Sequence, residues 1–272
     1  MGTTWPAGGG LPARYGEAVP LVAAAVCPHP PLIVPALAGS AAGELAGLRE
    51  ACDEAVTRLV DSAARRVVVV GADTATLEHH LPTRGSFAPW GVPVEVTIGD
   101  PDRAAGRPSL PLSLSVAAWL VTRQADDVRP DLWHLVSVAQ DAPVADCVRL
   151  AERLAAIGSA GADEPWALLV MGDGSACRGE KSPGYDDPAA QPYDDGVAAA
   201  LAAADGAALL ALPPELSTRL RVTGRAPWQV LAAATRHSGL PWRGDLSYYA
   251  APYGVSYLVA SWTPAVPTGP SR

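Results

Sequence analysis

Arg66–Gly71 reads RVVVVG, four consecutive valines closed by a glycine. β-branched side chains suit a pleated backbone and the glycine ends the run, so this is the clearest strand in the chain. Working outward from it, short apolar runs alternate with helical patterns. Upstream, Leu21–Cys27 (LVAAAVC) has strand length, and Ala41–Ala64 sets Leu45, Leu48, Cys52, Val56, Leu59 and Val60 at helical spacing. Downstream, Val92–Ile98 alternates and carries Pro93, which suits an edge strand. Ser113–Gln124 predicts a helix, Leu132–Ala139 a strand, Ala145–Ile157 a helix and Trp166–Met171 (WALLVM) a buried strand. Helices around Asp194–Ala204 and Pro227–Arg236, then a strand over Tyr257–Trp262, complete the series. The alternation predicts an α/β fold, a single domain whose central, mostly parallel or mixed sheet is flanked by helices. That domain is expected over residues 20–263, between a disordered N-terminal extension (1–19) and a disordered C-terminal tail (264–272).

A formal charge of −8 on 272 residues, with Arg65-Arg66 as the densest basic pair, argues against a nucleic-acid partner. Lys181 is the only lysine. No apolar stretch reaches membrane-spanning length, so no membrane partner is expected. Cys27, Cys52, Cys147 and Cys177 are widely spaced, without a C-x-x-C pair; reduced thiols and a cytoplasmic location fit them best.

Ligands of such sheets sit beyond the carboxyl ends of the strands. Three loops there carry polar residues: Pro28-His29-Pro30, Gly71-Ala72-Asp73-Thr74 and Gly172-Asp173-Gly174-Ser175. If their strands are parallel neighbours, the loops converge on one cleft. Prolines on both sides stiffen the backbone around His29, which could serve as metal ligand, acid/base or packed ring. Asp73 suits an oxygen ligand to a metal or, more simply, the N-cap of a following short helix. His79 and His80, adjacent in a helical reading of TLEHHL, form a solvated pair. Asp173 and Ser175 offer a carboxylate, a hydroxyl and flexible amides, in a site or in a tight turn. The segment is neither a nucleophile elbow nor a phosphate loop. Asp186-Asp187 and Asp194-Asp195 read as a solvated loop and a helix cap. Cys177 beside Arg178 is a candidate thiolate lacking an identifiable histidine partner. His134 packs within a strand, and His237 stands at a helix end where the dipole favours its charge.

Taken together, Pro28-His29-Pro30-Pro31, the VVVVG strand, the GDGS loop after WALLVM, Gln191-Pro-Tyr-Asp194, Gly224-Arg-Ala-Pro-Trp and Ala251-Pro-Tyr-Gly254 resemble the class III extradiol ring-cleavage dioxygenases. The resemblance is to their catalytic B-subunit superfamily, which includes the Memo-like proteins, and in particular to an uncharacterised subfamily with a CPHPP segment. It runs from about Leu21 to Trp262. It implies Fe(II), or another divalent metal, held by two histidines and a glutamate, with a further histidine as acid/base and a small aromatic, catechol-like substrate. It also implies a homo-oligomer or a second small subunit. Only His29 matches a metal ligand. Asp73 or Thr74 stands where the second histidine is expected, Ala176 or Cys177 replaces the acid/base histidine after Ser175, and Arg225-Ala-Pro-Trp-Gln229 supplies no carboxylate at the expected glutamate.

The resemblance therefore implies a dioxygenase-like protein with a degenerate metal site, non-catalytic or altered in activity, and with no cofactor if the site is lost. One alternative is an active metal-dependent oxygenase with rearranged ligands, His29 and Asp73 among them. Another is a metal-independent acid/base enzyme or hydrolase using Asp173, Ser175 and His29.

Overall fold

A computed structural model describes residues 21–124, 133–158 and 164–265. The expected N-terminal extension and nearly all of the tail lie outside these residues. The chain opens with β1 (Leu21–Cys27), α1 (Pro35–Ala38) and α2 (Ala46–Val60), then β2 (Arg66–Asp73), β3 (Leu77–His79), β4 (Thr83–Ser86) and β5 (Glu95–Ile98). Next come α3 (Pro101–Ala104), α4 (Leu112–Thr122), β6 (Trp133–Ala139), α5 (Val144–Gly158) and β7 (Trp166–Met171). The remainder is α6 (Ala190–Ala203), α7 (Gly206–Leu210), α8 (Pro214–Arg219), α9 (Arg225–His237), β8 (Trp242–Ala250) and β9 (Tyr257–Pro264).

Seven strands form one mixed sheet in the order β3-β6-β2-β7-β1-β9-β8, and β4 pairs with β5 in a separate hairpin. β6, β2, β7 and β1 are mutually parallel, while β3, β9 and β8 run antiparallel to their neighbours. Parallel strands buried on both faces are apolar throughout rather than alternating, which is why VVVV and WALLVM stand in the middle. One face packs Ala23, Ala25, Val67, Val69, Ala167 and Leu169 against α2 and α4. The opposite face packs Ala24, Val68, Val70, Leu168 and Val170 against α5, α6 and α9. A single domain with a mixed sheet between helical layers is thus the architecture, as the alternation predicts.

Three local expectations are corrected. Residues after Asp73 form β3, antiparallel to β6, so Asp73 caps no helix and the histidine pair is not helical. The sheet edge offers unpaired backbone groups of β6 that Leu77–His79 satisfies, and this outweighs the local helical pattern. The alternating segment at 92–98 contributes only Glu95–Ile98, and it pairs with β4 outside the main sheet. The long helix at 41–64 begins later, because Gly39–Leu45 winds as a 3-10 helix before α2.

α9 approaches the sheet so closely that a Cβ on Gly172 would lie 2.4 Å from the Gly224 Cα, and one on Gly224 would strike the Trp228 ring at 2.2 Å. Gly172→Ala should therefore destabilise the protein by about 1–3 kcal/mol, the usual cost of overpacking. Gly43→Ala, with nothing within 4 Å of its would-be Cβ, should stay within about 0.5 kcal/mol of wild type. Urea unfolding of the two variants checks both values.

Candidate functional site

Three of the candidate residues stand at the carboxyl ends of neighbouring parallel strands. Gly71 and Cys27 both pair with Met171 in the parallel ladders, and side chains two residues apart on a strand share a face. Asp73 ends β2, and Asp173 and His29 follow β7 and β1 by two residues each at the same edge of the sheet, where His29 and Asp173 meet. The expected convergence of the three loops holds at the level of the backbone.

The side chains then divide. Pro28, Pro30 and Pro31 have no N–H, so the His29 amide is the one donor of that tetrapeptide. It donates to Asp173 Oδ1 at 2.7 Å. His29 Nδ1 lies 3.6 Å from the same oxygen and is otherwise sealed without a hydrogen-bond partner. The Asp173 backbone is pinned on both sides, its N–H donating to Thr223 Oγ1 and its C=O accepting from the Gly224 N–H. Gly172 N–H donates to the Cys27 carbonyl, tying the loop to the end of β1. Burial raises the Asp173 carboxyl above its ordinary range, and His29 partly offsets this.

Asp73 stays apart: its Oδ1 accepts the neighbouring Thr74 N–H at 2.7 Å. It lies near His79, whose Nε2 is bonded to Ser137 Oγ at 3.1 Å; burial lowers the His79 pKa. His79 is therefore half-buried, whereas His80 is exposed. A facial Fe(II) site needs two imidazoles and a carboxylate around one point. This edge supplies one imidazole and two separated carboxylates, and among the described residues no three His, Cys, Asp or Glu side chains gather to hold a metal. This donor set does not fit Fe(II).

Ser175 belongs to a second cluster. It is fully buried, its N–H donates to Asp194 Oδ1 at 2.9 Å and its hydroxyl to Asp194 Oδ2 at 2.5 Å. Arg178 also donates to Asp194 Oδ2, at 3.2 Å, and to the Tyr249 hydroxyl. Asp195 accepts from Tyr249 at 2.6 Å. Asp194 is consequently no helix cap: it lies inside α6 and is buried, and that burial raises its pKa against the opposing pull of Ser175 and Arg178. With its proton committed to a buried carboxylate, Ser175 ties the loop to α6 and is not presented as a nucleophile. Burial likewise raises the Cys177 thiol, which removes the thiolate candidate. Arg225, in the segment near which the resemblance implies a glutamate, is buried and donates to Gln229 Oε1 and to the carbonyls of Gln140 and Ala142.

Sequence reasoning missed Tyr257. β9 pairs with β1 up to Val26 and Ala260, and Tyr257, three residues before Ala260, is buried and lies close enough to feel the Asp173 charge. The signal available was its place at the start of an apolar strand. Two cavities, of about 810 Å³ on the outer face of α2 and about 160 Å³ between α2 and β8–β9, are lined by none of these residues. No helix among the described residues is long and apolar enough to cross a membrane.

Ser175→Ala should cost about 1–3 kcal/mol, because it strips a buried acceptor of its donor. The pH dependence has a definite sign. Asp194 in the folded protein binds its proton more tightly than at the ordinary carboxyl value of 3.8, so just above that value the folded state holds more protons than the unfolded state. Its contribution to stability therefore falls as pH rises through that window. Asp194→Asn should flatten this part of the profile, read from unfolding midpoints between mildly acidic and neutral pH.

No family model matches the chain, and no curated protein does. Among solved structures it is similar to an uncharacterized protein from Escherichia coli K12, at 16% identity over 89% of this chain and 99% of that one, with a TM-score of 0.46.

Proposed function

We propose that the protein is a class III extradiol dioxygenase-like, B-subunit-like α/β protein that has lost iron catalysis and keeps a small polar centre, His29 with Asp173, for binding a small molecule. One observation carries the reading: the carboxylate that joins His29 is already committed to its amide and lies 3.6 Å from its Nδ1, and among the described residues no second imidazole joins them. A carboxylate 3.6 Å from Nδ1 favours a proton on that nitrogen, which serves a binding or proton-transfer role without metal.

Anaerobic loading of the purified chain with Fe(II), followed by desalting and metal analysis, tests this. Substoichiometric iron and no oxygen uptake with catechols are expected. Stoichiometric iron that disappears in His29→Ala, together with oxygen consumption on a catechol, would overturn it in favour of the metal-dependent alternative. The metal-independent acid/base reading retains His29 and Asp173 but not Ser175. An activity that survives Ser175→Ala and is abolished by His29→Gln would select it.

A further inference from the structure

We propose that the carboxyl edge of the sheet binds the ammonium head of a small primary amine, held by three acceptors: His29 Nε2, Asp173 Oδ2 and Tyr257 Oη. The inference rests on the iron-free reading, since a metal on His29 Nε2 would take the same place.

The three residues come from adjacent strands. β7 and β1 are parallel neighbours, and β1 pairs with β9; Asp173, His29 and Tyr257 stand at the same edge of these strands. Strand spacing of about 4.8 Å keeps the three within one side chain's reach. Tyr257 shares its sheet face with Val259, which packs in the same cluster as Cys27 and Met171.

Their polar atoms are differently committed. Asp173 Oδ1 is taken by the His29 amide and faces Nδ1. With a carboxylate oxygen as its nearest charged neighbour, Nδ1 is favoured to hold the ring proton, which leaves the lone pair on Nε2. Nε2, Oδ2 and the Tyr257 hydroxyl make no hydrogen bond among the described residues, and none belongs to the polar atoms sealed from solvent, which Nδ1 does. Three acceptors carried by neighbouring strands are thus left without a partner among the described residues. Among the described residues the only ion-pair partner of Asp173 is His29.

A primary ammonium has three N–H donors and no acceptor, and bonds from a cation to a carboxylate are the stronger kind. It matches three acceptors and one negative charge. The His29 and Asp173 side chains are 7% and 13% exposed, so the pair is shielded but still in contact with solvent. Tyr253, whose hydroxyl donates to Glu44, and Tyr248 pack against the same cluster, and phenol faces attract cations.

Calorimetric titration of the full chain with benzylamine at neutral pH tests the proposal, with benzyl alcohol and benzyltrimethylammonium as controls. Saturable binding of benzylamine alone is expected. Tyr257→Phe, which keeps the ring, should weaken it roughly tenfold, the scale of one hydrogen bond to a charged group, and Asp173→Asn should abolish it; melting temperatures confirm that both variants fold. The proposal is overturned if benzylamine does not saturate the iron-free wild type, if either control binds equally, or if both variants bind as wild type does. Iron is assayed on the same preparation. Iron found there means that the preceding reading has failed, whereas iron-free protein indifferent to benzylamine overturns the amine site alone.

Discussion

A single amide donor organises the carboxyl edge of this sheet. Between Cys27 and Leu32 only His29 has an N–H, and burying it unpaired would cost free energy comparable to a lost hydrogen bond. Asp173 Oδ1 accepts it. That bond locks the loop after β1 to the loop after β7, which is itself held to α9 through Thr223 and Gly224. The glycine pair Gly172 and Gly224 lets the two backbones meet. The position of the imidazole thus follows from proline chemistry on one strand and glycine chemistry on its neighbour.

The same commitment limits the chemistry. A carboxylate that satisfies a buried amide and faces a buried ring nitrogen has one oxygen left for a ligand. Asp73, at the end of the neighbouring β2, binds the adjacent amide instead. Ser175 is turned away in the same manner by Asp194, whose two oxygens take the serine amide and hydroxyl. Buried polar groups are hydrogen-bonded as a rule, and both carboxylates are drawn into that task.

Much of the architecture was legible in sequence. Strands buried on both faces must be apolar at every position, so VVVV and WALLVM announce themselves without their partners. The misread segments have a common cause. β3 exists because β6 offers a free edge, and TLEHHL contains no local trace of that edge. β8 alternates in burial from Trp242 to Tyr248, yet WRGDLSYYA carries glycine and aspartate, which are rare in strands. Asp194 looked like a solvated cap because its acidic neighbours are solvated; its burial depends on Ser175 and Arg178, sixteen or more residues away.

By itself the sequence determined the α/β alternation and the rigid His29 loop, since hydrophobic period and proline geometry are properties of contiguous residues. It also determined that His29 stands without the second histidine and glutamate that the resemblance implies. Only the tertiary structure decided which carboxylate serves it. Asp73 and Asp173 are equivalent in composition and in position at a strand end, and the choice falls to Asp173 because β7, not β2, is hydrogen-bonded to β1. Tyr257 joins this edge for the same reason, as β9 closes the other side of β1. Strand neighbours are set by long-range packing, and no local run of residues encodes them.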